Sequence, residues 1–327
     1  MTNVEEQLRS IERDGGDGNV ILGRTSSLHV SNLGKKFFPN GITKGAVMRY
    51  YARIWPYIAA HVKDRPFVLK RYPDGVGGPM FFQQDAGAHV PDGVRVETMN
   101  TREEGPKARI VGGDLATLLY TVQLGSIEVH PWLSRAANVD SPDRCLIDLD
   151  PGDDVSFSEV VALTRDVIKI ARQCDLPAAV KTSGSSGIHI VIPLPPGTTY
   201  ETSATLAMLI ARVVVAHRPE RATVERSVRA RPAGTIYVDP MQNARGKSMA
   251  CAYSVRAKEE ATVSAPLRER ELTARLRTSS FTVKTLPTRV ARIGDVWGEA
   301  LAKKPSTRAL TRAMRRLEQV LASEADA

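Results

Sequence analysis

Apolar and polar positions fall into a regular rhythm between residues 145 and 239, and that stretch organises the reading of the chain. Cys145–Leu149 is a short apolar run of strand length. Ser156 and Glu159 form a capping box, after which Val160, Leu163, Val167, Ile170 and Cys174 recur at helical spacing. Ala178–Thr182 and Ile188–Leu194 read as strands, the second ended by Pro195-Pro196-Gly197. Glu201–His217 reads as a helix with Leu206, Leu209, Ile210 and Val213 on one face, and Thr235–Val238 as a fourth strand. The order β-α-β-β-α-β predicts a ferredoxin-like or RNA-recognition-motif topology. There the first, third and fourth strands lie at or beside the sheet centre, and the second lies toward an edge.

Elsewhere the pattern predicts a helix over Thr43–Ile58, bearing Val47, Tyr50, Tyr51 and Ile54. It predicts a strand at Pro66–Arg71 that runs into a Tyr72-Pro73-Asp74-Gly75 turn, and a helix over Leu115–Leu124. Ser306–Ala322 places Leu310, Met314, Leu317 and Leu321 on one stripe, suited to packing on the body rather than to a separate partner. Residues 1–24 are polar and Gly-rich and read as flexible. The expected layout is one mixed α/β domain over 25–300, followed by a C-terminal helix in 301–327. Within it an N-terminal α/β layer (25–139) packs on a catalytic unit (140–260), and 261–300 wraps around. No internal repeat is present.

The chain has 327 residues, with 42% apolar and 25% charged, the balance of a soluble globular protein. No apolar run reaches membrane-spanning length, so no membrane partner is expected, and the N-terminus carries no signal-peptide core. Cys145, Cys174 and Cys251 lack metal-type spacing; the first two read as buried thiols of a reducing cytoplasm. The net charge of +9 suits a polyanionic partner.

The candidate chemistry begins at Asp148-Leu149-Asp150. Residues two apart share a strand face, so Leu149 faces a core while two carboxylates stand together on the other side. Their repulsion is relieved by a cation, and hard divalent ions prefer carboxylate oxygens. An exposed strand end before a Pro-Gly turn is the alternative. The topology argues against it by bringing His189 of the third strand and Asp239 of the fourth toward the same face. Three carboxylates suit two-metal catalysis. Ser183-Gly184-Ser185-Ser186-Gly187 has linker-like composition, but its apolar flanks make it a tight turn whose bare N–H groups and hydroxyls would suit a phosphate. Lys70, Arg71, Arg245, Lys247 and Arg256 lie in segments that could balance a triphosphate. Phe81 and Phe82 follow a Gly-rich turn; adjacent extended residues point opposite ways, so at least one ring is expected in solvent as a stacking platform for bases.

These motifs together resemble the archaeo-eukaryotic primase superfamily, and within it the polymerase domain of bacterial DNA ligase D. The resemblance rests on Asp148-x-Asp150, Ser183-Gly184-x-x-Gly187-x-His189 and Val238-Asp239. It extends to Arg65-Pro66, Lys70-Arg71-Tyr72-Pro73-Asp74-Gly75, Phe81-Phe82, Gly125-x-Ile127-Glu128-x-His130-Pro131-Trp132, Gln242-Asn243-Ala244-Arg245-Gly246 and Tyr253–Ala257. It covers roughly residues 28–297 and implies a primase-polymerase fold.

By matching motif, the resemblance implies catalytic metal ligands at Asp148, Asp150 and Asp239, for two Mn²⁺ or Mg²⁺ ions. It implies nucleotide contacts at Lys70, His130, Ser183, Gly184, Ser186, His189, Gln242 and Arg256. DNA contacts are implied at Lys35, Lys36, Lys44, Arg71, Phe81 and Phe82, with Lys44 and one of Lys35 or Lys36 on a downstream 5′-phosphate. Lys44 falls in the first turn of the Thr43 helix, where free N–H groups would also favour an anion. Arg231 resembles a further phosphate-binding arginine, one residue out of register.

The implied activity is template-dependent nucleotidyl transfer with NTP or dNTP, ribonucleotides often preferred. It would fill short gaps at DNA ends in bacterial end joining, in the nucleoid, beside a Ku-like end binder and a separate ligase. Gap filling in excision repair and general priming are the alternatives within this class. A non-catalytic end-binding module is disfavoured by the three carboxylates, and an RNA-recognition-motif binder by Asp and His where central-strand aromatics belong. Many relatives carry Lys where this chain has Ser186. No ligase or nuclease motif fits in the sequence, which reads as a stand-alone polymerase or an excised domain.

Overall fold

The computed structural model describes residues 3–101 and 105–325. They group into two units, each assembled from separate stretches of chain. One runs to Trp132 and takes back Ser248–Ser264 and Phe281–Gly294. The other holds Leu133–Lys247, Ala265–Ser280 and the chain from Asp295 onward. The expected boundaries at 139 and 260 are therefore corrected. The return segment joins the first unit through hydrogen bonds: Cys251 N–H donates to the Val129 carbonyl, and the Val129 N–H donates to Ser254 Oγ.

The first unit begins earlier than composition suggested. Asn3 caps helix α1 (Val4–Arg13) by accepting from the Glu5 N–H, and Leu8 is fully buried. Glu12 accepts from the Thr43 hydroxyl at 2.5 Å and pairs with Arg49. Strands β1 (Gly18–Ile21) and β2 (Ser27–Val30) follow as a hairpin. The reading of 1–24 as flexible is thus corrected from residue 3 on. A short apolar stripe and a few carboxylate pairs anchor the segment, and its polar composition conceals them.

Helix α2 (Lys44–Val62) is capped by Thr43 and continues past Pro56, four residues beyond the expected end. Around it lie β3 (Arg65–Arg71), β4 (Phe81–Gln83), β5 (Val96–Thr101), β6 (Gly105–Gly112), α3 (Leu115–Gln123) and β7 (Ser126–Pro131). Strand β3 is the hub of this sheet. It pairs antiparallel with β4, β6 and β7, and β5 pairs with β6.

In the second unit a short ribbon, β8 (Ser134–Arg135) and β9 (Asn138–Pro142), precedes β10 (Arg144–Pro151). Then come α4 (Phe157–Gln173), β11 (Ala179–Thr182), β12 (Ile188–Pro193), α5 (Tyr200–His217), β13 (Ala222–Thr223), β14 (Ile236–Asp239) and β15 (Pro266–Leu267). The six-stranded sheet is ordered β13-β14-β10-β12-β11-β15. Its inner part is the predicted β-α-β-β-α-β unit, with fourth, first, third and second strands side by side. The second strand is not an edge, because β15 covers it. The Ser156–Glu159 capping box opens α4 as expected. Ile147, Leu149, Ile188, Ile190, Ile192 and Val238 are buried, and α4 and α5 pack on this sheet. The C-terminal helix Thr307–Ala325 lies against α5 and buries Leu310, Ala313 and Leu317. All three cysteines are buried, and none forms a disulfide. Among the described residues no helix is long and apolar enough to cross a membrane.

Candidate active site

Strand register in the second unit aligns four polar side chains in one row. Asp148 on β10 stands opposite Asp239 on β14 at one side and opposite His189 on β12 at the other. His189 in turn stands opposite Lys181 on β11. Directly opposed residues share a sheet face. Asp150, two residues on, joins that face opposite Tyr237. Alternation thus produces the arrangement expected of Asp-x-Asp, with Leu149 buried behind it.

Each carboxylate has polar neighbours. His189 Nε2 lies 3.4 Å from Asp148 Oδ1, and Nδ1 lies 2.5 Å from Lys181 Nζ. Lys181 is fully buried, 6.0 Å from the Trp297 ring centre. Asp239 Oδ1 accepts from the Tyr237 hydroxyl at 3.2 Å and the Met241 N–H at 2.7 Å, and Oδ2 accepts from the Gln242 amide at 3.1 Å. Arg231 Nη1 is 3.3 Å from Asp150 Oδ2, and its guanidinium lies 4.2 Å from the Tyr237 ring centre. Burial and the Asp239 charge push the Tyr237 hydroxyl up to about 12, so it remains a donor. The row is closed at Lys181 and open at the acidic end, where the Asp150 side chain is 49% exposed. Arg245 turns to Asp140, at 3.1 Å.

The Ser183–Gly187 loop is a tight turn, as expected, but its backbone is not bare. Ser183 N–H donates to the Gly187 carbonyl at 2.9 Å. Ser183 Oγ accepts from the N–H groups of Ser185 and Gly187 at 3.0 and 3.1 Å. Those two amides are turned inward, which corrects the picture of a loop of open donors. Gly184 takes the left-handed conformation (φ +72°) that the turn needs. Gly187 lies so close to β10 that a Cβ would come within 2.1 Å of the Leu149 carbonyl oxygen. Ser186 is exposed in the loop.

In the first unit a second cluster forms around Glu128. Lys70 on β3 is opposite Phe82 on β4 and opposite Glu128 on β7, and His130 is two residues along. Glu128 is buried. Its Oε2 is 2.7 Å from His130 Nε2 and 3.0 Å from Arg256 Nε; its Oε1 accepts from the Ala257 N–H at 3.1 Å and from Lys70 Nζ at 3.4 Å. Burial alone would raise this carboxyl, but the His130 hydrogen bond and the Arg256 and Lys70 charges outweigh it. They hold it well below the usual carboxylate range. Burial lowers His130, assisted by those same cations and opposed by Glu128, so the imidazole is neutral at pH 7.

Phe81 and Phe82 are both exposed, at 45% and 60%. Register puts Phe82 on the face of Lys70 and Glu128, and Phe81 on the opposite face with Arg71. Arg71 lies 5.1 Å from the Phe81 ring centre and donates to the Leu124 carbonyl and to Gln83 Oε1, so it braces this strand from within.

The lysine group differs from expectation. Lys44 is buried and donates to the Ser31 carbonyl at 2.9 Å. Burial and the nearby Lys35 charge lower it to about 8. The first four N–H groups of α2 are all engaged, by Lys35 O, Leu33 O, Thr43 Oγ1 and Thr43 O. The expected free amides are therefore corrected, because the chain before Thr43 folds back over the helix end. Lys35 pairs with Asp74 at 2.8 Å, and Lys36 is exposed.

The sequence profile of the LigD primase-polymerase domain matches residues 43–297. The chain belongs to this family. It is 31% identical over 260 residues to the multifunctional non-homologous end joining protein LigD of Pseudomonas aeruginosa, which covers 79% of this chain and 31% of that protein. It is 31% identical over 270 residues to the bifunctional non-homologous end joining protein LigD of Bacillus subtilis, covering 82% and 43%. The solved polymerase domain from Mycobacterium tuberculosis ligase D in complex with DNA matches with a TM-score of 0.78 and 27% identity, over 85% of this chain and 99% of that one. The chain spans under half the length of these two curated relatives.

LigD primase-polymerase domains are metal-dependent nucleotidyltransferases. Asp148, Asp150 and Asp239 offer only carboxylate oxygens, the donors hard divalent ions select. Among the described residues no three His, Cys, Asp or Glu side chains are gathered tightly enough to enclose an ion. The carboxylates instead engage Arg231, His189, Tyr237, Met241 and Gln242. The donor set still fits such a metal, because three carboxylates on two adjacent strands share one half-open face. The sequence alone assigns no role to Lys181, nor to Glu128, which it marks only as part of a motif. Their signal is a charged residue in an otherwise apolar strand, as in Ala178-Ala179-Val180-Lys181 and Ile127-Glu128-Val129.

Proposed function

We propose that this chain is a template-dependent polymerase that fills short gaps at DNA ends during non-homologous end joining, preferring ribonucleotides. The primer 3′-OH attacks the α-phosphate of an incoming NTP or dNTP; a new P–O bond forms and pyrophosphate leaves. Asp148, Asp150 and Asp239 would hold Mn²⁺ or Mg²⁺, which lowers the pKa of the attacking hydroxyl and neutralises the leaving group. Within the second unit Ser183, Gly184, Ser186, His189 and Gln242 are the nucleotide contacts; within the first, Lys70, His130 and Arg256 offer cationic and polar contacts for a nucleotide phosphate. Phe81 and Phe82 stack on bases, and Lys44 with one of Lys35 or Lys36 takes a 5′-phosphate. Arg71 acts on DNA through its support of Phe81. The DNA in the solved relative and the end-joining names of the curated proteins support the substrate and pathway. A Ku-like end binder and a ligase are the partners this pathway implies.

The observation that carries the reading is the register of Asp148 with Asp239, with Asp150 on the same face. The test is primer extension on gapped duplexes, with and without a downstream 5′-phosphate, with rNTPs and dNTPs in parallel. Asp148→Asn should abolish extension and leave DNA binding within about twofold, since affinity comes mainly from basic residues. Extension by Asp148→Asn near the wild-type rate would remove the proposed site.

A further inference from the structure

We propose that Glu128 is a positioning residue that fixes the tautomer of His130 and the aim of Lys70 and Arg256 toward the nucleotide, an inference that rests on the nucleotidyltransferase reading above. The geometry lies within the first unit. A carboxylate only accepts hydrogen bonds. The 2.7 Å contact between Glu128 Oε2 and His130 Nε2 therefore requires the proton on Nε2. In a neutral ring Nδ1 is then an acceptor, and it remains to serve a donor on the ligand.

The same anion gathers the cations. Lys70 comes from β3 and Arg256 from the return segment, so nothing local in sequence holds them together. Glu128 meets both, and the Ala257 N–H bonded to Oε1 fixes the backbone beside Arg256. Two cations around one buried carboxylate, with a neutral histidine, leave a single net positive charge for phosphate. All four groups facing Glu128 are donors. A glutamine cannot satisfy them, because its amide offers one acceptor oxygen and must present its NH₂ to at least one former donor. The histidine is the group able to answer by moving its proton from Nε2 to Nδ1.

Wild-type protein and Glu128→Gln should be compared by multiple-bond ¹⁵N–¹H correlation of the imidazoles, with His130→Gln to assign the signal, and by titration with ATP in the presence of Mg²⁺. The expected wild-type signal is the Nε2–H tautomer. In Glu128→Gln it should shift to Nδ1–H, and ATP affinity should fall about tenfold even though the cluster has gained positive charge. A wild-type Nδ1–H signal would overturn the proposal, and needs no folded variant to observe. So would an unchanged tautomer with equal or tighter ATP binding in Glu128→Gln. Failure of the wild-type protein to bind ATP would instead count against the nucleotidyltransferase reading, while the tautomer still decides the role of Glu128.

Discussion

Gly187→Ala should separate the phosphate-loop candidate from the strand that carries the carboxylates. Gly187 is not in the left-handed region, so alanine costs little in backbone strain. The cost is steric. The new Cβ would lie 2.1 Å from the Leu149 carbonyl oxygen and 3.2 Å from its carbon. Ordinary contact begins near ~3.5 Å, so loop and strand must part by more than about 1 Å. Ser183 holds Gly187 through its N–H and through its hydroxyl, at 2.9 and 3.1 Å, and such a shift breaks or stretches both bonds. Each contributes about 1 kcal/mol net, and overpacking a tight site costs about 1–3 kcal/mol. The expected loss is roughly 3–5 kcal/mol in urea unfolding. Leu149 lies between Asp148 and Asp150, so a displaced carbonyl also rotates the carboxylates. Primer extension should drop more than about tenfold under conditions where the variant is fully folded. Ser186→Ala, at the exposed position of the same loop, should stay within about 0.5 kcal/mol. A Gly187→Ala protein equally close to wild type in stability and extension would refute the seating of the loop on β10.

Lys44 supplies a pH test. Its folded pKa of about 8 lies below the ordinary 10.5, so between those values the unfolded chain binds more protons and stability rises with pH. Relative to Lys44→Met, wild-type unfolding free energy should climb across pH 8–10.5 by at most about 1.4 kcal/mol per pH unit, and parallel profiles would contradict the burial. Any preference for a 5′-phosphorylated duplex should fade above pH 8 as the ammonium is lost, which titrations of matched duplexes would show. Phe82→Ala should weaken gapped-duplex binding by about 1–3 kcal/mol with little change in unfolding; a stability loss of several kcal/mol would place that ring in the core.

What was legible in the sequence was what local pattern dictates. The β-α-β-β-α-β order, the Ser156 cap and the facing of Asp148 and Asp150 follow from periods of two and 3.6, and the structure realises them with ends shifted by a few residues. The β5–β6 hairpin and the β15 edge strand went unread. Val96–Thr101 carries Glu, Thr and Asn in a mixed pattern, and Pro266–Leu267 is too short to announce itself. The order of α1 was hidden for a related reason: Leu8 is its one fully buried side chain, and Glu5 and Glu12 find their partners in Arg53 and Arg49 far along the chain. At the site, residue types could be matched, but their neighbours could not. Nothing in Thr43-Lys44 foretells that the preceding loop takes up the helix-end amides, and nothing in the Ser-Gly loop foretells that Ser183 caps its own turn.

The two polar clusters resolve one problem with opposite signs. In the second unit three carboxylates would repel one another, and Arg231 on Asp150, His189 on Asp148 and the donors around Asp239 lower that cost. In the first unit Lys70 and Arg256 would repel, and the buried Glu128 lies between them. Each arrangement satisfies buried polar groups in the protein alone, yet each keeps an excess of one sign, anionic in the second unit and cationic in the first. Buried charges persist in this way only when paired. An excess left after pairing is therefore the part of each cluster available to a ligand, a hard cation for the carboxylates and phosphate for the cations.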